Sequence, residues 1–181
     1  MYEGKRVFLS VGALQVPGIK DQLKNGYTVV AYEPEKEAFA RYRTVEHKNF
    51  FPINKAVSDF NGKVTLQADG GNSSILDTPD KTWIKETYEV EVVSLESVLR
   101  KIKKVQVLHL NCEGAEIPIL MNTSLDLLER CKRIYVEFHT FRKNLCIADE
   151  EVQACVKRLG QRFKVKDKHT YHPYYEFLGK A

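Results

Sequence analysis

The chain has 181 residues, 43% hydrophobic and 29% charged, which suits one domain folded around a single sizeable core. No run approaches the roughly 18 uncharged apolar residues of a membrane-spanning helix, so no membrane partner is expected. The net charge of +4 spreads over 28 basic and 24 acidic side chains, too even a mixture to point to nucleic acid as the partner.

The first segment, "MYEGKRVFLSVGA", enters an apolar strand directly and lacks the charged-then-apolar layout of a secretory signal. Cys112, Cys131, Cys146 and Cys155 are scattered without a CxxC pair, so neither a zinc site nor a thioredoxin motif is expected. Reduced thiols in a cytoplasmic protein are the simpler expectation.

Residues 6–13 read as a strand ending in a glycine turn, and 16–26 as a short helix with Pro17 in its first turn and Gly26 at its end. Residues 27–34 form a second strand. Residues 35–47 form a helix with Ala38, Phe39 and Tyr42 as its buried stripe. "FFPINKAVSD" (50–59) is a third strand, and Asn61-Gly62 predicts a hairpin whose next strand returns antiparallel. A glycine-serine loop covers 69–76. Residues 87–102 alternate as a strand and then turn helical, with Ser94 as N-cap.

The last clear core strands are 105–111 and 133–140, separated by a helical stretch over 116–130. A helix near 149–160 and strand-like segments over 161–178 follow. Strands alternating with helices predict an α/β fold with a mostly parallel sheet covered on both faces, as one domain over 1–181.

Ligands of such sheets gather beyond the carboxyl ends of the strands. That rule selects Ser10 to Ala13, Glu33-Pro34, Ala56 to Asp59, Asn111 to Glu116, and Glu137 to His139. Glu33 lies about twenty residues past the first turn, where a carboxylate can accept both ribose hydroxyls of a nucleotide. Neither GxGxxG nor GxxxxGK[ST] is present, which leaves a nucleoside-bearing ligand without a pyrophosphate.

The ordered blocks "VFLSVGA", "VVAYEP", "NKAVSDFNGKVTL", "NSSIL", "EVEVVSLESVL", "LHLNCEGAE" and "RIYVEFH" resemble the FkbM-type methyltransferases, over roughly residues 6–140. The resemblance implies a Rossmann-like class I fold with an antiparallel C-terminal strand. It also implies S-adenosyl-L-methionine as cofactor and, typically, O-methylation of a sugar or other small metabolite hydroxyl. A helix often found before the first strand in such enzymes is expected to be missing or vestigial.

Carried over by position, Gly12 and Ala13 would line the methionine side and Glu33-Pro34 would clamp the ribose. Asn54 and Ala56 would run beside the adenine, and Ser73-Ser74 would cover the cofactor. Five positions depart from the pattern. Ser10 and Asn111 stand where the family usually has aspartate, His109 replaces a lysine, Leu14 replaces an asparagine, and Val16 replaces a second glycine. Losing a charged hydrogen bond to the cofactor costs about 1.5–3 kcal/mol. Val16 is troublesome if its position needs positive φ.

The cluster at 111–116 has an architectural account, in which Asn111 satisfies the loop while Glu113 and Glu116 favour a helix N-terminus. It also has a catalytic one, in which Asn111 orients the acceptor and Glu113 or His139 removes its proton. His139 has its own architectural account as a satisfied core histidine. Glu137 is expected either to orient His139 or to pair with His109.

The reading is therefore a small-molecule O-methyltransferase. Its alternative is a catalytically degenerate domain acting as a binding or assembly module. The basic, aromatic segment 164–177 is expected to be a closing strand pair rather than a platform for RNA.

Overall fold

The computed structural model describes residues 5–12, 15–70, 73–167 and 174–180. The strands are β1 (Val7–Gly12), β2 (Thr28–Tyr32), β3 (Phe50–Ile53), β4 (Ala56–Ser58), β5 (Gly62–Ala68), β6 (Glu86–Ser94), β7 (Val107–Asn111), β8 (Arg133–Glu137), β9 (Phe163–Asp167) and β10 (Tyr174–Gly179). The helices are α1 (Val16–Lys24), α2 (Lys36–Tyr42), α3 (Leu95–Lys101), α4 (Glu116–Asn122), α5 (Leu125–Leu128) and α6 (Asp149–Gly160).

A seven-stranded sheet runs in the order β3-β2-β1-β7-β8-β10-β9. Its first five strands are mutually parallel, and β10 lies antiparallel between β8 and β9. Side chains on a strand alternate between faces, and both faces here are apolar. Val7, Leu9, Val11, Leu108, Leu110, Ile134 and Val136 pack with residues of α3 to α6. Phe8, Val29, Ala31 and Val107 pack instead with Ile19 of α1 and Tyr42 of α2. The expected α/β architecture, with helices on both faces, is the observed one.

Local chemistry sets the element ends. Pro17 sits in the first turn of α1, and Gly26 takes a φ of 79° just beyond its end. The Ser94 Oγ accepts from the Ser97 N–H at 3.1 Å, capping α3 as expected. Val16 begins α1, and the positive φ belongs to Gly12, so a β-branched residue is unstrained there.

Several boundaries differ from expectation. The stretch 50–59 divides between two sheets, since β3 joins β2 while β4 joins β6. Between them the Asn54 Nδ2 donates to the Glu33 and Pro34 carbonyls, at 2.8 and 3.2 Å. Asn61-Gly62 makes no hairpin between β4 and β5, because β6 lies between those strands in a separate three-stranded sheet. Asn61 instead exchanges hydrogen bonds with the Ser94 backbone and side chain.

Helix α2 stops at Tyr42, the one fully buried member of its predicted stripe. The helical stretch after β7 breaks at Thr123, whose hydroxyl donates back to the Ile119 carbonyl at 2.7 Å, and restarts with Ser124 as the cap of α5. Among the described residues no helix is long and apolar enough to cross a membrane.

Candidate active site

A cavity of about 490 Å³ opens over the carboxyl ends of β1, β2 and β7, within the usual size range for small-molecule sites. Gly12, Glu33, Pro34, Ala56, Ser73, Asn111 and Glu113 all line it. Gly12 is required twice over. Its φ is 80°, and a Cβ there would overlap the carbonyl of Asn111, its partner across the β1–β7 ladder. Ala13, Leu14 and Asn72 lie outside the described residues.

Glu33 follows β2 and is held from three directions. Its N–H donates to the Ile53 carbonyl, its own carbonyl accepts from Asn54, and its Oε1 accepts the Glu35 N–H at 2.9 Å. Burial pushes its carboxyl up to about 7, against the pull of the single Glu35 N–H, and the Glu35 charge adds to the rise. The opposite wall is apolar, with Val57, Leu66 and Ile75 beside Ala56.

Ser73 also lines the cavity, with its Oγ accepting from the Asp69 N–H at 3.3 Å. Ser74 is placed differently. Its hydroxyl is buried, donates to the Glu113 carbonyl at 2.8 Å and accepts from the Leu76 N–H at 3.1 Å. It fastens the glycine-serine loop to the β7 turn. Ser10 sits apart from the cavity, fully buried in β1 with its hydroxyl 3.3 Å from Nδ1 of His109. Ser10 is not among the residues lining the cavity; its side chain meets His109, its neighbour in register on the same sheet face.

The turn after β7 carries the densest chemistry. Glu113 adopts a left-handed φ of 54° and Gly114 follows at 103°. Such a conformation persists only when its surroundings hold it, and Glu116 supplies the hold. Glu116 is fully buried and accepts the N–H groups of Cys112 and Gly114 at 2.7 and 2.9 Å. A Cβ on Gly114 would press on the ends of the Leu76, Ile147 and Leu145 side chains, and its φ of 103° is what requires glycine there.

The Glu113 carboxylate points to His139, whose Nε2 lies 3.3 Å from Oε1, and to the Arg142 guanidinium on Oε2. His139 Nδ1 lies 2.9 Å from Glu116 Oε1, an ion pair rather than an aligned hydrogen bond. Burial works against charge on His139, but the flanking Glu113 and Glu116 carboxylates outweigh it and raise the imidazole to about 10. For Glu113, burial works upward, and the bonds from His139 and Arg142 bring the net shift below the ordinary carboxylate value.

These shifts bear on the acid–base expectation. The flanking carboxylates of Glu113 and Glu116 favour the charged form of His139, so in this arrangement it stands as a cation between them. Glu113 is ionised, but both of its oxygens are engaged. Glu137 neither orients His139 nor pairs with His109; its Oε2 accepts from the Asn111 Nδ2 at 2.7 Å.

Arg142 escapes sequence reasoning, because it falls three residues after His139 in a stretch without periodicity. The Trp83 ring lies 5.3 Å from its guanidinium. Among the described residues no group of three or more His, Cys, Asp or Glu side chains is arranged to hold a metal ion.

This strand order, with one reversed strand near the edge and a ligand-sized hollow over the parallel tips, defines a Rossmann-like fold of the class I methyltransferase type. Residues 11–163 match the methyltransferase FkbM domain, and the chain belongs to that family. A solved structure of methyltransferase FkbM from Methylobacillus flagellatus KT shares the fold with a TM-score of 0.57 at 9% sequence identity. The match covers 96% of this chain and 43% of that one, so this chain spans less than half of its neighbour's length. No curated protein matches the sequence.

Proposed function

We propose that the cavity binds S-adenosyl-L-methionine and that the chain transfers its methyl group to a hydroxyl of a small acceptor, a sugar or other metabolite. The observation that carries this reading is the Glu33 corner. A buried carboxylate with one N–H donor faces a hollow with an apolar wall, a fit for a ribose diol attached to a planar base. Gly12 leaves room for the methionine side to approach the backbone.

When bound, S-adenosyl-L-methionine would supply a methyl group for in-line transfer to the acceptor oxygen; Gly12 and Glu33 would hold it, and Glu113 would take the hydroxyl proton. Positioning supplies much of the acceleration. His139 and Arg142 hold Glu113 ionised and engage both of its oxygens, so its service as proton acceptor would require one of them to be released. The cysteines of the described chain are all free, which supports a cytoplasmic setting.

Titration calorimetry with S-adenosylmethionine, followed by methyl transfer from labelled cofactor to a panel of sugars, tests the reading. Saturable binding and labelled product are expected. Absence of heat at millimolar ligand, with the chain verified as folded, overturns it. The engagement of both Glu113 oxygens favours a second reading, a domain that binds the cofactor without turning it over. Binding without transfer across the panel would favour that reading.

A further inference from the structure

A second hollow, of about 640 Å³, lies on one face of the large sheet and shares no lining residue with the cavity at the strand tips. Helices α1 and α2 cover this face beside β1 and β2. Beyond them the strand registers place Phe8 of β1, His109 of β7, Tyr135 of β8 and Tyr174 of β10 on the same side. Phe8 and His109 stack with ring centroids 6.2 Å apart, and Tyr135 and Tyr174 stack at 6.1 Å. Paired rings thus floor the hollow across four neighbouring strands.

Its rim is cationic. Arg6 lies over the Tyr27 ring at 4.5 Å, and Arg133 bonds the Tyr135 phenol. Among the described residues neither guanidinium pairs with a carboxylate. No acidic side chain of the described chain lines the hollow. Glu176, which accepts the Tyr135 hydroxyl at 2.9 Å, is buried and stands outside it. His109 adds no charge of its own, because burial lowers its imidazole to about 4. Arg6 leads into β1, and β8 lies two strands away, a separation of about 10 Å that two such side chains can close onto one anion.

Charge and floor together define the occupant. An inorganic anion would answer the arginines and leave the rings in water; a neutral ring would answer the floor alone. A base that carries a phosphate answers both, since guanidinium forks suit phosphate oxygens and any base can stack on an aromatic face. Gln22 and Asn25 line the same hollow, with side-chain amides able to donate to and accept from a base edge.

We infer that this face is a second binding site, for a nucleoside monophosphate, with its base on the aromatic floor and its phosphate on Arg6 and Arg133. The site stands apart from the proposed transfer site and does not rest on the cofactor reading.

Titration calorimetry with uridine 5′-monophosphate, uridine and inorganic phosphate tests this, with S-adenosylhomocysteine present at millimolar concentration to occupy the first cavity. Saturable binding of the monophosphate is expected, about tenfold or more tighter than either part alone, and weaker as salt rises. Arg6→Gln and Arg133→Gln alter exposed side chains, and each is expected to cut that affinity about tenfold while leaving affinity for S-adenosylhomocysteine unchanged. Either variant carries the test if the other fails to fold.

Absence of heat with the monophosphate overturns the inference. So does inorganic phosphate bound as tightly as the monophosphate, or affinity indifferent to both arginine substitutions. Monophosphate binding that S-adenosylhomocysteine abolishes also overturns it, because the nucleotide would then belong to the first cavity.

Discussion

At the β2 end of the cavity Glu33 is 7% exposed and has received one backbone N–H in exchange for its water; at the β7 end Glu113 is 8% exposed and has received His139 and Arg142. Equal burial thus gives opposite results, a carboxyl raised to about 7 and one lowered below its ordinary value. The difference lies in the partners, since desolvation acts upward on both. Glu33 is incompletely satisfied and has capacity left for a ligand. Glu113 is locked into an architecture that holds its own strained turn.

The strongest way to break this comparison is to remove the cation that serves the locked end. His139→Ala leaves Glu113 and Glu116 facing each other with one counter-charge fewer. We expect a loss of about 3–5 kcal/mol in denaturant unfolding. A loss below about 1 kcal/mol would mean that the network is not structural.

Next in size is Glu33→Gln, which should act in opposite directions on binding and stability. Affinity for S-adenosylmethionine should fall roughly ten- to 150-fold, because the ribose loses a charged acceptor. Stability at alkaline pH should rise by up to about 3 kcal/mol, because burial no longer opposes an ionised carboxylate. Loss of both properties together would show that Glu33 is structural like Glu113.

The pH dependence sharpens the contrast. Glu33 titrates near 7 in the fold against 4.5 unfolded, so its protonated form favours folding, and stability falls as pH rises from about 4.5 through about 7. His139 titrates near 10 against 6.5 unfolded, so its contribution is complete below about 6.5 and is lost as pH rises through about 10. Unfolding free energies across this range should therefore decline in two stages. His139→Ala should remove the later stage and Glu33→Gln the earlier. The smallest effect is expected for Ser94→Ala, which removes the α3 cap far from either end; about 1 kcal/mol should be lost with cofactor affinity unchanged.

The Glu33 corner is legible in the sequence because it is local. A strand, an acid and a proline in succession need only the rule that ligands meet strand tips. Gly12 is legible for the same reason. The locked end is not, since it joins Glu113 and Glu116 after β7 to His139 and Arg142 after β8, and no spacing within either segment reports the other. His139 could be singled out as titratable, but its direction of shift depends on two carboxylates from another strand.

The small sheet was hidden similarly. Asn61-Gly62 carries a strong local hairpin signal, yet Asn61 is committed to Ser94 and β6 intervenes between the strands. Ser10 shows the reverse case, in which position in a motif suggested a ligand contact while the hydroxyl lies against His109 of the neighbouring strand.

Calorimetric titration of the parent chain and Glu33→Gln with S-adenosylmethionine, at about pH 6 and about pH 8, bears most directly on the cavity's claimed role. The account predicts parent affinity that strengthens with pH as Glu33 ionises, and weaker, pH-independent binding by the variant. Binding that ignores both the pH and the substitution, or no binding by the folded parent chain, would contradict it.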